Sequence, residues 1–296
     1  MCSRQTGEKT VSGQLSPREG ACIMPHITAT DGTALHVKDM GQGRPVVLIH
    51  GWPLTGDMWE KQTLALAEAG YRVVTYDRRG FGLSGHPINC YDYDTLADDL
   101  AVILEQLDLW DATLVGFSMG GGEVARYLSR HGRSRVSRTV LVSSVLPFLL
   151  RTADNPDGLD ISIFDGMKQE IRQDRFGFLK NFIPHLYGMG VLRHPVSQGV
   201  LDWSFMLACM ASPMATLDCV DAWGTTDFRA DLQAFTVPTL VIHGTGDSNV
   251  PSDLSGRRTA DAIPGATYIE YDGAPHGLFI THAEKLNADL LKFLAS

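Results

Sequence analysis

From Pro45 to Ile49 the chain runs through five residues without a polar side chain, Pro-Val-Val-Leu-Ile, and then breaks at His50-Gly51. A run this short, unbroken and β-branched has no polar face to turn toward water. It therefore fits a strand covered on both sides, the situation of a strand inside a parallel sheet. Similar segments recur at 71–77 (YRVVTYD), 112–117 (ATLVGF), 138–144 (RTVLVSS), 238–244 (PTLVIHG) and 266–273 (ATYIEYDG). Between them lie stretches with helical spacing, such as 93–107 (YDTLADDLAVILEQL) and 281–295 (THAEKLNADLLKFLA). Alternation of this kind predicts an α/β fold with a doubly wound, mostly parallel sheet and helices on both faces. Residues 26–32 and 34–41 are expected to open it as an antiparallel pair turning at Asp31-Gly32.

One interval breaks the rhythm. From Ser144 to Pro238 the chain travels much farther than a single crossover helix requires, which predicts an inserted helical cap at 147–228 between the sixth and seventh strands. Residues 24–146 and 229–296 then form one core, ample for a chain of 296 residues that is 44% hydrophobic. The insert is rich in large, soft side chains, and Phe148, Phe164 and Trp223, with Pro53 from the core, are expected to line an apolar substrate pocket. Residues 1–23 are polar and aperiodic and are expected to be a disordered extension.

The formal charge of −9 is spread without long runs of one sign. That distribution offers no basic stripe for nucleic acid or a membrane surface and favours a small, weakly charged ligand. The five cysteines (Cys2, Cys22, Cys90, Cys209, Cys219) form no CxxC pair and are expected to be free thiols in a reducing compartment. No stretch reaches the roughly 18 to 20 apolar residues of a membrane helix, so a cytoplasmic location is expected.

Chemistry concentrates at 116–120, Gly-Phe-Ser-Met-Gly, where a strand run meets a helical pattern that carries Val124 and Leu128 at i, i+4. This is the setting of a nucleophile elbow, in which a sharp turn exposes a serine and the flanking glycines let strand and helix approach closely. The other reading of Ser118 is a cap on the helix beginning near Gly120, and the succession of strand, elbow and helix weighs against it. A serine hydroxyl needs a base and an orienting acid, which this strand–helix order supplies as Asp/Glu and then His. Asp247 follows the strand run at 238–244, and His276 follows the run at 266–273. Asp253 is a rival acid farther from its strand end. The backbone N–H groups of Met119 and Trp52 are the expected oxyanion donors, and His50 is expected to brace the loop. The histidine spacings match no metal motif, and Gly120-Gly121-Gly122 lacks the lysine of a phosphate loop, so neither metal nor cofactor is expected.

The segments HGWPLTGDMWE, YRVVTYDRRGFGLSG, LVGFSMGGGEVARYLSRHG, VPTLVIHGTGD and GAPHGLFITHAEKLNADLLKFL resemble those of the bacterial cofactor-free haloperoxidases, aryl esterases and perhydrolases. The resemblance implies an α/β-hydrolase fold with Ser118 as nucleophile, Asp247 as acid, His276 as base, and Trp52 and Met119 as oxyanion donors. It further implies a small ester substrate and a side activity in which hydrogen peroxide replaces water, to which proline at position 53 contributes. A homo-oligomer is compatible with it. A lactonase or γ-lactamase would keep the same triad, and an idle ligand-binding relative is the remaining alternative.

Overall fold

Alternate residues of the Pro45–Ile49 run reach opposite sides of one sheet, and all five are buried. The computed structural model describes residues 26–296; the extension expected at 1–23, with Cys2 and Cys22, lies outside the described residues. In chain order the elements begin with β1 (His26–Thr28), β2 (Ala34–Met40), β3 (Pro45–Ile49), α1 (Glu60–Glu68), β4 (Arg72–Tyr76) and α2 (Tyr93–Gln106). They continue with β5 (Ala112–Phe117), α3 (Met119–His131), β6 (Val136–Val142), α4 (Ile161–Leu186), α5 (Gln198–Cys209) and α6 (Pro213–Thr225). The chain closes with β7 (Thr239–Gly244), α7 (Gly256–Ala262), β8 (Thr267–Tyr271), α8 (Leu278–Thr281) and α9 (Ala283–Ala295).

The eight strands form one sheet in the order β1-β2-β4-β3-β5-β6-β7-β8. β1, β2 and β4 pair antiparallel, and every pairing from β4 to β8 is parallel. The opening hairpin turns as expected: Gly32 takes φ +87°, and Asp31 Oδ1 accepts the Thr33 N–H at 3.0 Å. Val47, Ile49, Leu114, Leu141 and Val241 face one apolar layer, while Val46, Leu48, Val115, Val142 and Ile242 face the other. The first layer includes Leu96, Leu100, Ile103 and Leu104 of α2, whose N-terminus is capped by Asp92 accepting the Thr95 N–H. Each such side chain contributes about 1.5–3 kcal/mol on burial. β8 differs from the expected doubly buried run: of its residues only Tyr271 is buried, because an edge strand has one neighbour and its Thr267 and Glu270 face solvent.

The long interval holds α4, α5 and α6, inserted between β6 and β7. Asp174 interrupts α4 with φ −155° and ψ 88°, and its Oδ1 accepts the Gly177 N–H at 2.9 Å, so its side chain caps a second helical segment. Among the described residues no single helix is long and apolar enough to cross a membrane, and Cys90, Cys209 and Cys219 are free.

Candidate active site

β5 ends at Phe117 and α3 starts at Met119, leaving Ser118 alone in the turn at φ +53°, ψ −117°. A non-glycine residue held there costs on the order of 1–3 kcal/mol, so its surroundings must impose it. They do so with hydrogen bonds from Ser118 N–H to the Val142 carbonyl (2.9 Å) and from the Gly121 N–H to the Ser118 carbonyl (3.0 Å). Close packing accounts for the glycines. A Cβ on Gly116 would stand 2.5 Å from the Gly120 carbonyl oxygen, and one on Gly120 would stand 2.6 Å from that of Ile49. Gly121 and Gly122 likewise abut Ser144 and the Tyr93 ring, so the glycine run serves helix packing.

Three loops at the carboxyl ends of parallel strands bring the expected side chains together, as open α/β sheets do with their ligand sites. His276 Nε2 lies 2.9 Å from Ser118 Oγ, and His276 Nδ1 lies 2.6 Å from Asp247 Oδ2. Ser118 is 6% exposed, Asp247 5% and His276 3%, so the three are nearly dry, and of them Ser118 and His276 reach the cavity. Asp247 Oδ1 accepts the N–H groups of Asn249 (3.0 Å) and Val250 (2.8 Å). Oδ2 has a second partner that sequence reasoning missed: His243 Nε2 lies 3.2 Å away and 2.9 Å from the Val250 carbonyl. Burial alone would raise the Asp247 carboxyl, but the charge of His276 and the hydrogen bonds of His243 and His276 outweigh it and hold the group well below the usual carboxylate range. Asp253, the rival acid, is exposed and pairs with Arg257 at 3.3 Å.

The loop after β3 faces the elbow. Among the described residues, the backbone N–H groups of Trp52 and Met119 donate to no protein acceptor. The Met119 N–H opens α3, where the helix dipole favours negative charge. His50 is fully buried, and burial together with the neighbouring Arg78 charge pushes its imidazole well below its ordinary value. It makes no hydrogen bond to Ser118 and bonds instead to the loop and to Arg78, as expected of a brace.

Above Ser118 and His276 opens a cavity of about 250 Å³. Its apolar wall comes from Trp52, from Phe164, Phe178 and Phe182 of α4, from Trp223 of α6 and from Val250, while His185 and Ser248 bond to each other at 3.1 Å on its polar side. Trp52 joins core to insert, its Nε1–H donating to the Thr216 carbonyl at 3.1 Å. Two of the four expected lining residues, Phe164 and Trp223, are in place. Phe148 is not: its buried ring lies beneath the Arg229 guanidinium at 5.1 Å, outside the cavity. Pro53, joined to Trp52 by a cis peptide bond, is buried within its loop and does not line the cavity either. Among the described residues no cluster of His, Cys, Asp or Glu has the arrangement of a metal site.

Comparison with known proteins agrees with this architecture. Residues 44–283 match the family described as alpha/beta hydrolase fold. A non-heme chloroperoxidase of Kitasatospora aureofaciens is 45% identical, over 92% of this chain and 99% of that protein. A bifunctional esterase/perhydrolase of Acinetobacter calcoaceticus is 38% identical, over 92% of this chain and all of that one. The crystal structure of a bromoperoxidase from Bacillus anthracis superposes with a TM-score of 0.88 at 46% identity, covering 92% of this chain and all of that one. With its fold, its strand–elbow–helix and full-length relatives at these identities, the chain belongs to the α/β-hydrolase fold family, in the group of the non-heme haloperoxidases and esterase/perhydrolases.

Proposed function

We propose that the protein is a serine hydrolase that cleaves small aryl and alkyl carboxylic esters through an acyl-enzyme on Ser118. One observation carries the reading, the hydrogen-bonded chain from Ser118 Oγ through both nitrogens of His276 to Asp247, at the floor of an apolar cavity. In this mechanism His276 Nε2 takes the proton as Ser118 Oγ attacks the ester carbonyl, while Asp247 keeps the ring proton on Nδ1. The N–H groups of Trp52 and Met119 receive the oxyanion. His276 then protonates the leaving alcohol and deprotonates the water that releases the acid. The insert at 147–228 acts as the cap that shapes the acyl and alcohol pocket, through Phe164 and Trp223.

Hydrogen peroxide in place of water gives a peracid, which transfers one oxygen to bromide, yielding hypobromous acid and regenerating the carboxylic acid. The names of the chloroperoxidase and esterase/perhydrolase relatives support this second half-reaction. The purified protein is expected to release p-nitrophenol from short esters and to brominate monochlorodimedone in acetate, peroxide and bromide. Both activities should survive dialysis against chelator, because a Ser/His/Asp site generates its nucleophile without a Lewis acid. Failure to cleave any short ester, or loss of cleavage restored by one particular metal, would refute the reading.

A further inference from the structure

Arg78 and Glu123 form a charged pair with no access to water, each side chain being 1% exposed. Such a pair is a weak stabiliser, since apolar residues of similar volume often serve the fold as well or better. Its contacts suggest another purpose. Arg78 follows β4, and Glu123 stands on α3 just past Ser118. Arg78 Nε donates to Glu123 Oε2 at 2.6 Å, and the Tyr76 hydroxyl donates to Oε1. Burial would lower the Arg78 guanidinium, but the Glu123 charge more than offsets this and keeps it cationic.

From that anchor Arg78 reaches the loop beside the elbow. Its Nη2 donates to the His50 carbonyl at 2.7 Å, and its backbone N–H donates to His50 Nε2 at 2.9 Å. An imidazole nitrogen that accepts a hydrogen bond carries no proton, so the single proton of the neutral ring is on Nδ1. Nδ1 lies 3.0 Å from the Gly51 carbonyl oxygen, which also accepts the Leu54 N–H at 3.0 Å. The Gly51 carbonyl and the Trp52 N–H belong to one trans peptide and point in opposite directions, so fixing the first aims the second. Arg78 Nη1 also stands 3.4 Å from Nδ1, a longer approach than that of the Gly51 carbonyl oxygen, and the edge of Phe81 packs on the ring with centroids 5.5 Å apart.

We propose that Arg78 and Glu123 are positioning residues for the oxyanion site: by locking His50 in its Nδ1–H form they hold the Gly51–Trp52 peptide with the Trp52 N–H aimed at the reacting carbonyl. The inference rests on the reading of Trp52 as an oxyanion donor. It ties the helix that presents the nucleophile to the loop that receives the charge, so the two are set together.

Two measurements test it. In the native protein, ¹⁵N spectra should show His50 protonated at Nδ1 and bare at Nε2, unchanged between pH 5.5 and 8.5. This readout does not depend on catalysis. In His50→Phe and Glu123→Gln, kcat per site titrated with a fluorophosphonate should fall about tenfold or more, short of or up to the ~10²–10³ of a lost oxyanion donor. Phenylboronic acid, which forms a tetrahedral serine adduct, should lose affinity by the same factor while KM stays within about twofold. A purely structural role would instead reduce the fraction of titratable sites and leave kcat per site alone. An Nε2–H tautomer, titration within that range, or unchanged kcat per site in both variants overturns the proposal. A native protein that cleaves no ester and takes no label refutes the hydrolase reading instead, and the tautomer still decides the network.

Discussion

Ser118→Ala is expected to lower kcat for p-nitrophenyl acetate on the order of 10⁴-fold or more while leaving the protein folded, by analogy with triad knockouts in other serine hydrolases. The size follows from what the hydroxyl does. Its side-chain partner is His276, at 2.9 Å, so the alanine variant loses the attacking atom and little packing. The turn at φ +53° is no harder for alanine than for serine, and the bonds to Val142 and Gly121 use only backbone atoms. Thermal melting should therefore move by a few degrees at most, as a change of about 1 kcal/mol would give. Bromination should vanish with hydrolysis, since the proposed mechanism takes both through the same acyl-enzyme. More than about a tenth of the activity in a folded variant would defeat the assignment.

The second large effect is predicted for Asp247→Asn, with kcat lowered by roughly 10⁴-fold. Here the local hydrogen bonds dictate the mechanism of failure. Oδ1 accepts two backbone N–H groups, from Asn249 and Val250, so an asparagine must keep its oxygen there. Its NH₂ then faces His276 Nδ1 and His243 Nε2, where Oδ2 stood. His276 would have to present a lone pair at Nδ1 and carry its proton on Nε2, toward Ser118, so it could no longer act as the base. The charge has a pH signature too. The folded carboxyl is held below the usual range, so the stability it contributes is fully present above the unfolded value of about 3.9 and is lost as pH falls through the folded one. The stability gap between native and Asp247→Asn, measured by denaturant midpoints, should shrink as pH falls below about 4. A gap that is the same at pH 5 and pH 2.5 would contradict this.

Much of the sheet was legible because strands buried on both faces leave unbroken apolar runs, as at Pro45–Ile49 and Ala112–Phe117. Ser118 and Asp247 were legible because each follows such a run, and His276 because it stands in the loop after the next strand; the three side chains meet in one hydrogen-bonded chain. β8 misled the reading although ATYIEYDG already carried Thr267 and Glu270, which stand three residues apart on opposite faces of this edge strand and are both exposed. Phe148 was placed in the pocket because a list of large soft residues says nothing about which way each one faces. The Arg78–Glu123 pair left no signal, since its partners are 45 residues apart and a glutamate on a helix ordinarily reads as solvent-facing. His243 was hidden inside a strand run, where it reads as a satisfied core histidine until its distance to Asp247 is seen.

Reaction with a fluorophosphonate, followed by peptide mass mapping, tests the central claim most directly. The account predicts one adduct per chain, on the peptide carrying Ser118, with ester hydrolysis and bromination lost in proportion to labelling and no adduct in Ser118→Ala. Stoichiometric labelling at another residue, or full activity in completely labelled protein, would contradict it.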